Sequence, residues 1–286
     1  MRTYLDCLPC FLSQALRAGR IATDDEKKIK RLLDEVGMAL KDIPLECTPP
    51  EAGILIYGKV REISGVFDPY RETKIENTEK ALSLYPRLKK LVRESTDPLL
   101  TAIRIAIAGN VIDFGVNENF DIEKEVEETL QKEFAIFDYE SFKERLGQVD
   151  KVLYLGDNAG ESVFDKILIE ELKKPVTYAV REIPVINDVT WDDALMAGLD
   201  EVATIISSGT NAPGTILKTC SSEFMEIYEN SDMVISKGQG NYEALSEDKR
   251  PIFFLLKVKC HVIASDLDVK EGDIVLKGIN VSATPD

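Results

Sequence analysis

The sequence predicts an α/β protein in which a helical first half precedes a doubly wound, parallel sheet. Three observations predict this class. Apolar residues recur at helical spacing before Gly147, short apolar runs follow it, and helix-like stretches separate those runs. We therefore expect a helical region over residues 1–146 and an α/β domain over residues 147–286.

Two apolar stripes define the clearest helices of the first half. Their residues recur three and four positions apart, as the buried face of a helix requires. The stripes consist of Ile29, Leu32, Leu33, Val36 and Leu40, and of Ala81, Leu82, Tyr85, Leu88 and Val92. Candidate caps precede the first stripe at Thr23, Asp24 and Asp25, and prolines at Pro49, Pro50, Pro69 and Pro98 divide the region into several helices.

Six short apolar runs predict buried strands in the second half. They cover residues 152–155, 176–180, 203–207, 233–236, 252–256 and 262–264. Helix-like stretches lie between them at residues 161–173, 191–199, 222–229 and 241–246. This alternation is typical of parallel strands joined by crossover helices.

Composition narrows the classes of partner. The chain has 286 residues, of which 44% are hydrophobic and 30% charged, with 35 basic against 51 acidic residues and a net charge of -16. This charge opposes binding to nucleic acid or to an anionic membrane, so we expect small-molecule partners. No apolar stretch reaches the length of a membrane span and the start has no signal-peptide pattern, which predicts a cytoplasmic protein. No pattern indicates an oligomeric state.

The five cysteines are predicted to be reduced thiols, because their irregular spacing in a chain of this length, without a secretory signal, is not that of a disulfide framework. Only Cys7 and Cys10 have a spacing typical of metal or redox sites. They can equally be ordinary residues of a first helical turn, or share a metal or redox role with Cys220 or Cys260.

Polar residues follow successive predicted strands. Asp157 and Asn158 follow the first strand, and Asp188 follows the second. Alone, each group is more typical of a turn or a helix cap. Neighbouring parallel strands, however, place their carboxyl ends side by side, and carboxylate and amide oxygens are ligands of hard divalent cations. Together these residues predict a metal site.

Two glycine-containing loops and two lysines follow the remaining strands. Ser208 and Gly209 belong to a small-residue loop able to face an anion, and Lys237 opens a loop that continues to Tyr242. Beyond the fifth strand lie Lys257 and Lys259, which alone would be an edge-strand solubility device. The single histidine, His261, would have to serve any Ser-His-Asp triad or histidine-rich zinc site, so both are disfavoured.

These motifs together resemble the metal-dependent damage-control phosphatases, long labelled only as a domain of unknown function. The resemblance covers nearly the whole chain. It is carried by Asp157-Asn158-Ala159-Gly160-Glu161, Ile186-Asn187-Asp188-Val189-Thr190, Ser208-Gly209 with Pro213-Gly214-Thr215, Lys237-Gly238-Gln239-Gly240-Asn241-Tyr242, Ala108 to Gly115, and Asp68-Pro69-Tyr70 with Lys74. The start with Cys7 and Cys10 is similar to the compact, stand-alone microbial branch of the family.

The resemblance implies a helical N-terminal region beside a Rossmann-like α/β/α three-layer domain with a mostly parallel sheet. It also implies one divalent metal ion held by Asp157, Asn158 and Asp188, and two carboxylates with an amide accept Mg, Mn, Co or Ni. At such a site we expect Lys237 and Lys259 to stabilise charge on the phosphate oxygens, and the metal or a carboxylate such as Asp113 to polarise the attacking water. The expected catalytic residues are therefore Asp157, Asp113, Lys237 and Lys259. The residues expected to bind substrate are Asn110, Arg181, Ser208, Gly209, Gln239, Gly240, Asn241, Tyr242 and Lys259.

The sequence departs from the family pattern at two places. Gln239 stands where the eukaryotic loop has an acidic residue, and the strand that bears Lys259 lacks the Arg-Thr pair that often precedes this lysine. Both departures concern substrate choice. We expect a phosphomonoester of a small metabolite, either a sugar phosphate or a damaged phosphometabolite.

The expected chemistry is in-line attack of water on the phosphoryl group. Asp157 lacks the Asp-x-Asp-x-Thr context of enzymes that form an aspartyl phosphate, so direct attack is favoured. Two alternatives belong to other classes. Gly238-Gln239-Gly240 after a strand is compatible with a nucleotide cofactor, including S-adenosylmethionine for carboxyl methylation, although Glu243 stands at the third glycine position of that fingerprint. The other is a non-catalytic metal-sensing or interaction protein, with Cys7 and Cys10 as the sensor.

Overall fold

Helices make up most of the chain before residue 132 in the computed structural model, which describes residues 1–109 and 122–281. Asp25 begins the second helix by accepting a backbone N–H of Lys27 at 2.9 Å, and Thr48 with Glu51 forms a capping box at the start of the third. The helices are α1 (Cys7–Ala22), α2 (Glu26–Leu40), α3 (Pro49–Ser64), α4 (Arg71–Glu94), α5 (Pro98–Gly109) and α6 (Ile122–Gln131).

Seven strands of the described residues form one sheet. They are β1 (Phe134–Phe137), β2 (Val152–Leu155), β3 (Val176–Val180), β4 (Thr204–Ser207), β5 (Val234–Lys237), β6 (Ile252–Lys257) and β7 (Ile274–Ile279). The helices around them are α7 (Tyr139–Gln148), α8 (Ser162–Leu172), α9 (Trp191–Met196), α10 (Ser222–Glu229), α11 (Gly238–Leu245) and α12 (His261–Leu267). No described helix is both long and apolar enough to cross a membrane.

The strand order is β1-β7-β6-β5-β2-β3-β4, and every pair is parallel except β6 with β7. From β2 the chain adds β3 and β4 on one side, and from β5 it adds β6 on the other. The direction of winding therefore reverses between β2 and β5. In open α/β sheets the crevice at such a switch point, outside the carboxyl ends of the strands, is where ligands bind.

Side chains along each strand alternate between two hydrophobic cores. Tyr154 of β2 faces one core with Phe164 of α8, and Leu155 faces the other with Phe11 of α1. Helices α4, α5 and α8 contribute to the first core, whereas α1, α3 and α11 contribute to the second. The predicted α/β class, with a mostly parallel sheet between helical layers, is confirmed.

Three details differ from the prediction. Residues 262–264, predicted as a strand, lie in α12, because a run of three apolar residues fits a strand and a buried helix equally well. The other two are strands that were not predicted. β1 is four residues long and alternates between half-buried and exposed positions, so it carries little strand signal, and β7 follows the misassigned run.

β1 lies before Gly147, within residues predicted to be entirely helical, and it pairs with β7. Both cores also contain side chains from each side of residue 147. The division into domains at residues 1–146 and 147–286 therefore stays a prediction, while the sheet itself draws on both.

Candidate metal centre

The loops after β2 and β3 bring the three predicted metal ligands together. Asn158 and Asp188 pair as an isolated antiparallel bridge, and Val189 donates its backbone N–H to the Asp157 carbonyl at 2.8 Å. The side chains of Asp157, Asn158 and Asp188 lie at the switch point and are 7%, 8% and 4% exposed. Backbone hydrogen bonds between the loops thus hold two carboxylates and one amide side by side.

The Asn158 amide has a defined orientation. Its Nδ2 donates to Asp157 Oδ2 and to Glu161 Oε2, both at 3.0 Å. Both amide hydrogens are therefore directed at carboxylates, and the amide oxygen Oδ1 is left as a potential cation ligand.

Asp188 is held by a buried arginine. Arg181 donates from Nε to Asp188 Oδ2 at 2.7 Å and from its terminal nitrogens to Thr215 Oγ1 and Asn241 Oδ1, both at 3.1 Å. The Asn241 amide in turn donates to the Lys237 carbonyl at 2.8 Å, and to that of Gly156 at 3.1 Å. This network joins the ends of β2, β3 and β5 beneath the cleft.

Lys237 lies under this centre with its side chain fully buried. Its Nζ donates to Glu161 Oε1 and Asp165 Oδ1, both at 2.5 Å, and to the Ala106 carbonyl at 2.9 Å. The ammonium thus has three acceptors within the protein and does not line the cleft. The predicted contact between Lys237 and a phosphate is therefore corrected to a contact with buried carboxylates.

The two glycines after β5 are required by close approach. Gly238 has φ of 77°, and a Cβ there would overlap the Asp157 carboxylate. A Cβ at Gly240 would overlap the Pro213 carbonyl oxygen. The Gly238-Gln239-Gly240 segment is therefore explained by packing against the candidate metal centre and its neighbouring loop.

The two candidate ligand carboxylates repel negative charge in the absence of a cation. Burial raises the pKa of Asp157 well above its ordinary value, and the nearby Glu161 and Asp188 carboxylates raise it further. Burial also raises the pKa of Asp188, although the Arg181 guanidinium acts in the opposite direction. Both carboxyl groups therefore take up a proton more readily than an exposed aspartate does.

A cleft of about 470 Å³ opens above these residues. The predicted site residues that line it are Asp157, Asn158, Asp188, Gln239, Gly240 and Lys259. Lys259 is exposed, and its backbone N–H donates to Gln239 Oε1 at 3.1 Å. Its charge reaches Asp157, whose pKa it lowers against the larger effect of burial.

Other predicted substrate-binding residues are engaged elsewhere. The Ser208 hydroxyl donates to the Val180 carbonyl at 2.7 Å, and the Tyr242 hydroxyl donates to Asp266 at 2.7 Å. Gly209 lies against the backbone of Ser221. With Arg181 and Asn241, these side chains support the cleft rather than line it. Asn110 and Asp113 lie outside the described residues.

The sequence did not indicate that α1 forms one wall of the cleft. Residues of this wall and its neighbours include Cys7, Cys10, Gln14, Arg17, Tyr57, Glu243 and Cys260. Helical periodicity could identify α1, but its packing against the switch point depends on contacts far apart in sequence. The cysteines are free thiols, and among residues 1–109 and 122–281 no three His, Cys, Asp or Glu side chains are grouped as a metal site. A role for Cys7 and Cys10 in metal sensing stays a prediction.

Comparisons with known proteins agree with the fold and the motifs. A family model described as the damage-control phosphatase ARMT1-like domain matches residues 3–275. A damage-control phosphatase of Pyrococcus horikoshii is 37% identical and aligns over 96% of this chain and 97% of its own length. One from Archaeoglobus fulgidus is 36% identical, over 95% of this chain and 97% of its own.

A solved structure supports the same relationship. The crystal structure of a DUF89 family protein from Pyrococcus horikoshii, at 37% sequence identity, superposes with a TM-score of 0.89 over 97% of this chain and 99% of that chain. The family resemblance is confirmed, while assignment to a branch with an N-terminal pair of cysteines stays a prediction. The chain belongs to the damage-control phosphatase family that carries the ARMT1-like domain.

Proposed function

We propose that this protein is a divalent-metal-dependent phosphatase that hydrolyses phosphomonoesters of small metabolites, and that Asp157, Asn158 and Asp188 hold its metal ion. The relatives named damage-control phosphatases, at 36% and 37% identity over nearly the whole chain, support the phosphatase activity. Metal dependence and substrate class are supported by the site itself.

The observation that carries the metal proposal is the meeting of two buried carboxylates and one oriented amide at the switch point. Asp157 and Asp188 are 7% and 4% exposed, and the Asn158 amide directs both of its hydrogens at carboxylates, which leaves its oxygen as a potential ligand. Burial and the neighbouring carboxylates raise the pKa of Asp157, so this group binds either a proton or a cation. Two carboxylates and an amide oxygen suit Mg²⁺, Mn²⁺, Co²⁺ or Ni²⁺.

The cleft residues prepare the phosphate for attack. Lys259 presents an exposed ammonium at the rim, where it attracts the phosphate against the net charge of -16. Gln239 fixes the backbone of Lys259 through its Oε1, while its Nε2 donates to Glu243 at 2.9 Å. Asp157, Asn158 and Asp188 would hold the metal at the floor, and the metal, when bound, would polarise a phosphoryl oxygen.

The proposed reaction is direct hydrolysis. A water oxygen forms a bond to phosphorus while the ester P–O bond breaks, and the alcohol leaves with a proton as inorganic phosphate is formed. Asp113, outside the described residues, stays the predicted group that orients or deprotonates this water. A labelled phosphoryl group trapped on Asp157 would contradict direct attack.

The first experiment measures phosphate release from a chromogenic phosphomonoester after chelation and after addition of Mg²⁺, Mn²⁺, Co²⁺ or Ni²⁺. We expect activity only with metal, and we expect Asp157→Asn to lower it by about 1000-fold, because a ligand charge is lost. Asp192→Asn is the matched control, since Asp192 is exposed on α9, and it should retain activity.

Absence of metal-dependent phosphate release would overturn the phosphatase proposal. If the same protein then binds S-adenosylmethionine and methylates carboxylates, the alternative enzyme class replaces it. Binding of metal with neither activity would favour the non-catalytic, metal-sensing class.

A further inference from the structure

We propose that Lys237 and Glu161 are positioning residues that set the Asn158 amide so that its oxygen, and not its nitrogen, faces the metal. This inference rests on the proposed metal site. It assigns a role to a buried ion cluster that does not itself line the cleft.

The first step is the anchoring of Lys237. Its three ammonium hydrogens match three acceptors, which are Glu161, Asp165 and the Ala106 carbonyl. Asp165 is fixed in turn by the hydroxyls of Tyr154 and Tyr178, which donate to its two oxygens at 2.7 and 2.9 Å. Both tyrosines and Lys237 are fully buried, so the Lys237 ammonium has one position.

The second step is the selection of one Glu161 orientation. Glu161 is 1% exposed, with Oε1 toward Lys237 and Oε2 toward Asn158. An ion-paired carboxylate accepts hydrogen bonds and donates none. It can therefore face the nitrogen of the Asn158 amide but not its oxygen.

The third step is the effect on the metal ligand. An asparagine amide is nearly symmetric in shape, so packing alone does not distinguish its oxygen from its nitrogen. Asp157 Oδ2 and Glu161 Oε2 both accept from Nδ2, and this leaves Oδ1 for the cation. Partners that orient metal ligands in this way commonly change metal affinity by about 10- to 100-fold when removed.

The experiment measures the dissociation constant for Mn²⁺ and the melting temperature of the same samples, without substrate. Glu161→Asp retains the charge but draws the carboxylate back from Asn158. We expect it to weaken Mn²⁺ binding by about 10-fold or more. Glu201→Asp is the matched control, because Glu201 accepts from Lys166 of α8 at 2.6 Å outside the cleft, and it should bind Mn²⁺ as wild type does.

A charge-preserving exchange provides the rescue. The double variant Asn158→Asp/Glu161→Gln exchanges the amide and the carboxylate and leaves the total charge unchanged. In this variant the new glutamine at position 161 donates to the new aspartate at position 158, whose second oxygen faces the metal. We expect Glu161→Gln alone to weaken Mn²⁺ binding and the exchange to restore most of it. Lys237→Met should also weaken Mn²⁺ binding, and Lys166→Met is the matched control. The melting temperature of Lys237→Met shows whether that variant folds.

The outcomes are distinguishable. If wild-type protein binds Mn²⁺ and Glu161→Asp and Glu161→Gln bind it equally well, the positioning role is overturned and the metal proposal stands. A lower melting temperature with unchanged Mn²⁺ affinity in the folded variants would also overturn the positioning role, since it would show a merely structural role. If wild-type protein binds no Mn²⁺, the metal proposal falls and this inference falls with it.

Discussion

The floor and the wall of the cleft are built by different means. The floor consists of Asp157, Asn158 and Asp188 at strand ends, where buried partners fix each side chain. The wall carries exposed side chains from α1 and the turn after β6, among them Arg17 and Lys259. The contrast teaches that buried partners fix the side chains proposed to hold the metal, whereas the cationic side chain proposed to attract the phosphate stays exposed beside them.

Substitution of Gly238 should break the floor and produce the largest effect. Gly238→Ala combines a left-handed backbone with overlap between its Cβ and Asp157. Gly65→Ala is the control, because Gly65 has a similar φ of 78° with no atom within 4 Å of a Cβ. We expect Gly65→Ala to cost about 1 kcal/mol, and Gly238→Ala to cost roughly 2 kcal/mol more.

Metal-dependent activity provides a second measurement on the same pair. Gly238→Ala should lower it by about 100-fold through displacement of the Asp157 carboxylate, whereas Gly65→Ala should leave it near wild type. Equal melting temperatures and equal activities for the two variants would contradict a rigid floor.

Substitution of Lys259 should change the wall and leave the floor intact. Lys259→Met removes the exposed ammonium, so we expect KM for a phosphomonoester to rise by about 10-fold without weaker Mn²⁺ binding. Lys257→Met, two residues away and outside the cleft lining, should change KM by less than about twofold. A change in both variants would show that general surface charge, and not this wall, attracts the phosphate.

Substitution of Glu243, which also lines the cleft, should produce the smallest effect, and this effect should depend on pH. Burial raises its pKa from 4.5 to about 7. The folded protein therefore retains a proton that the unfolded chain releases in this window, so the free energy of unfolding falls as pH rises. Glu243→Gln removes this pH-dependent loss of stability, and the new glutamine can still accept the hydrogen bond from Gln239.

At pH 8 the melting temperature of Glu243→Gln should exceed that of wild type by about 2 °C, or roughly 1 kcal/mol after allowance for solvent screening. At pH 4.5 the two proteins should melt together. Glu223→Gln, an exposed change on α10, should show no such difference, and a constant difference at both values of pH would contradict titration of Glu243.

The parts of the site that depend on neighbouring strand ends could be predicted from the sequence. Asp157 and Asp188 follow strands that lie side by side, so strand identification was enough to bring them together. The role of Lys237 could not be predicted. Its partners lie 72, 76 and 131 positions away, and a lysine beside a glycine loop has the same local pattern whether it faces solvent or the core.

The edge of the sheet formed by β1 and β7 was predicted less well than the opposite edge. The edge strand β4 lies within the predicted run at residues 203–207, and the central strands β2 and β3 are continuous apolar runs. Among the described strands β1 pairs with β7 alone and alternates in exposure, so its sequence differs little from that of a loop. A four-residue strand with this pattern carries little strand signal in a single sequence.

The order β1-β7-β6 also determines when the sheet can be completed during synthesis. Among the described strands β1 leaves the ribosome first, and β7, with which it pairs, leaves last. Phe134 can therefore pair with Ile274, its partner in the register, only after the five strands of the centre and the opposite edge have been synthesised. Closure of this edge is a late event for a nascent chain, and a ribosome stalled before residue 274 would hold β1 without its β7 partner.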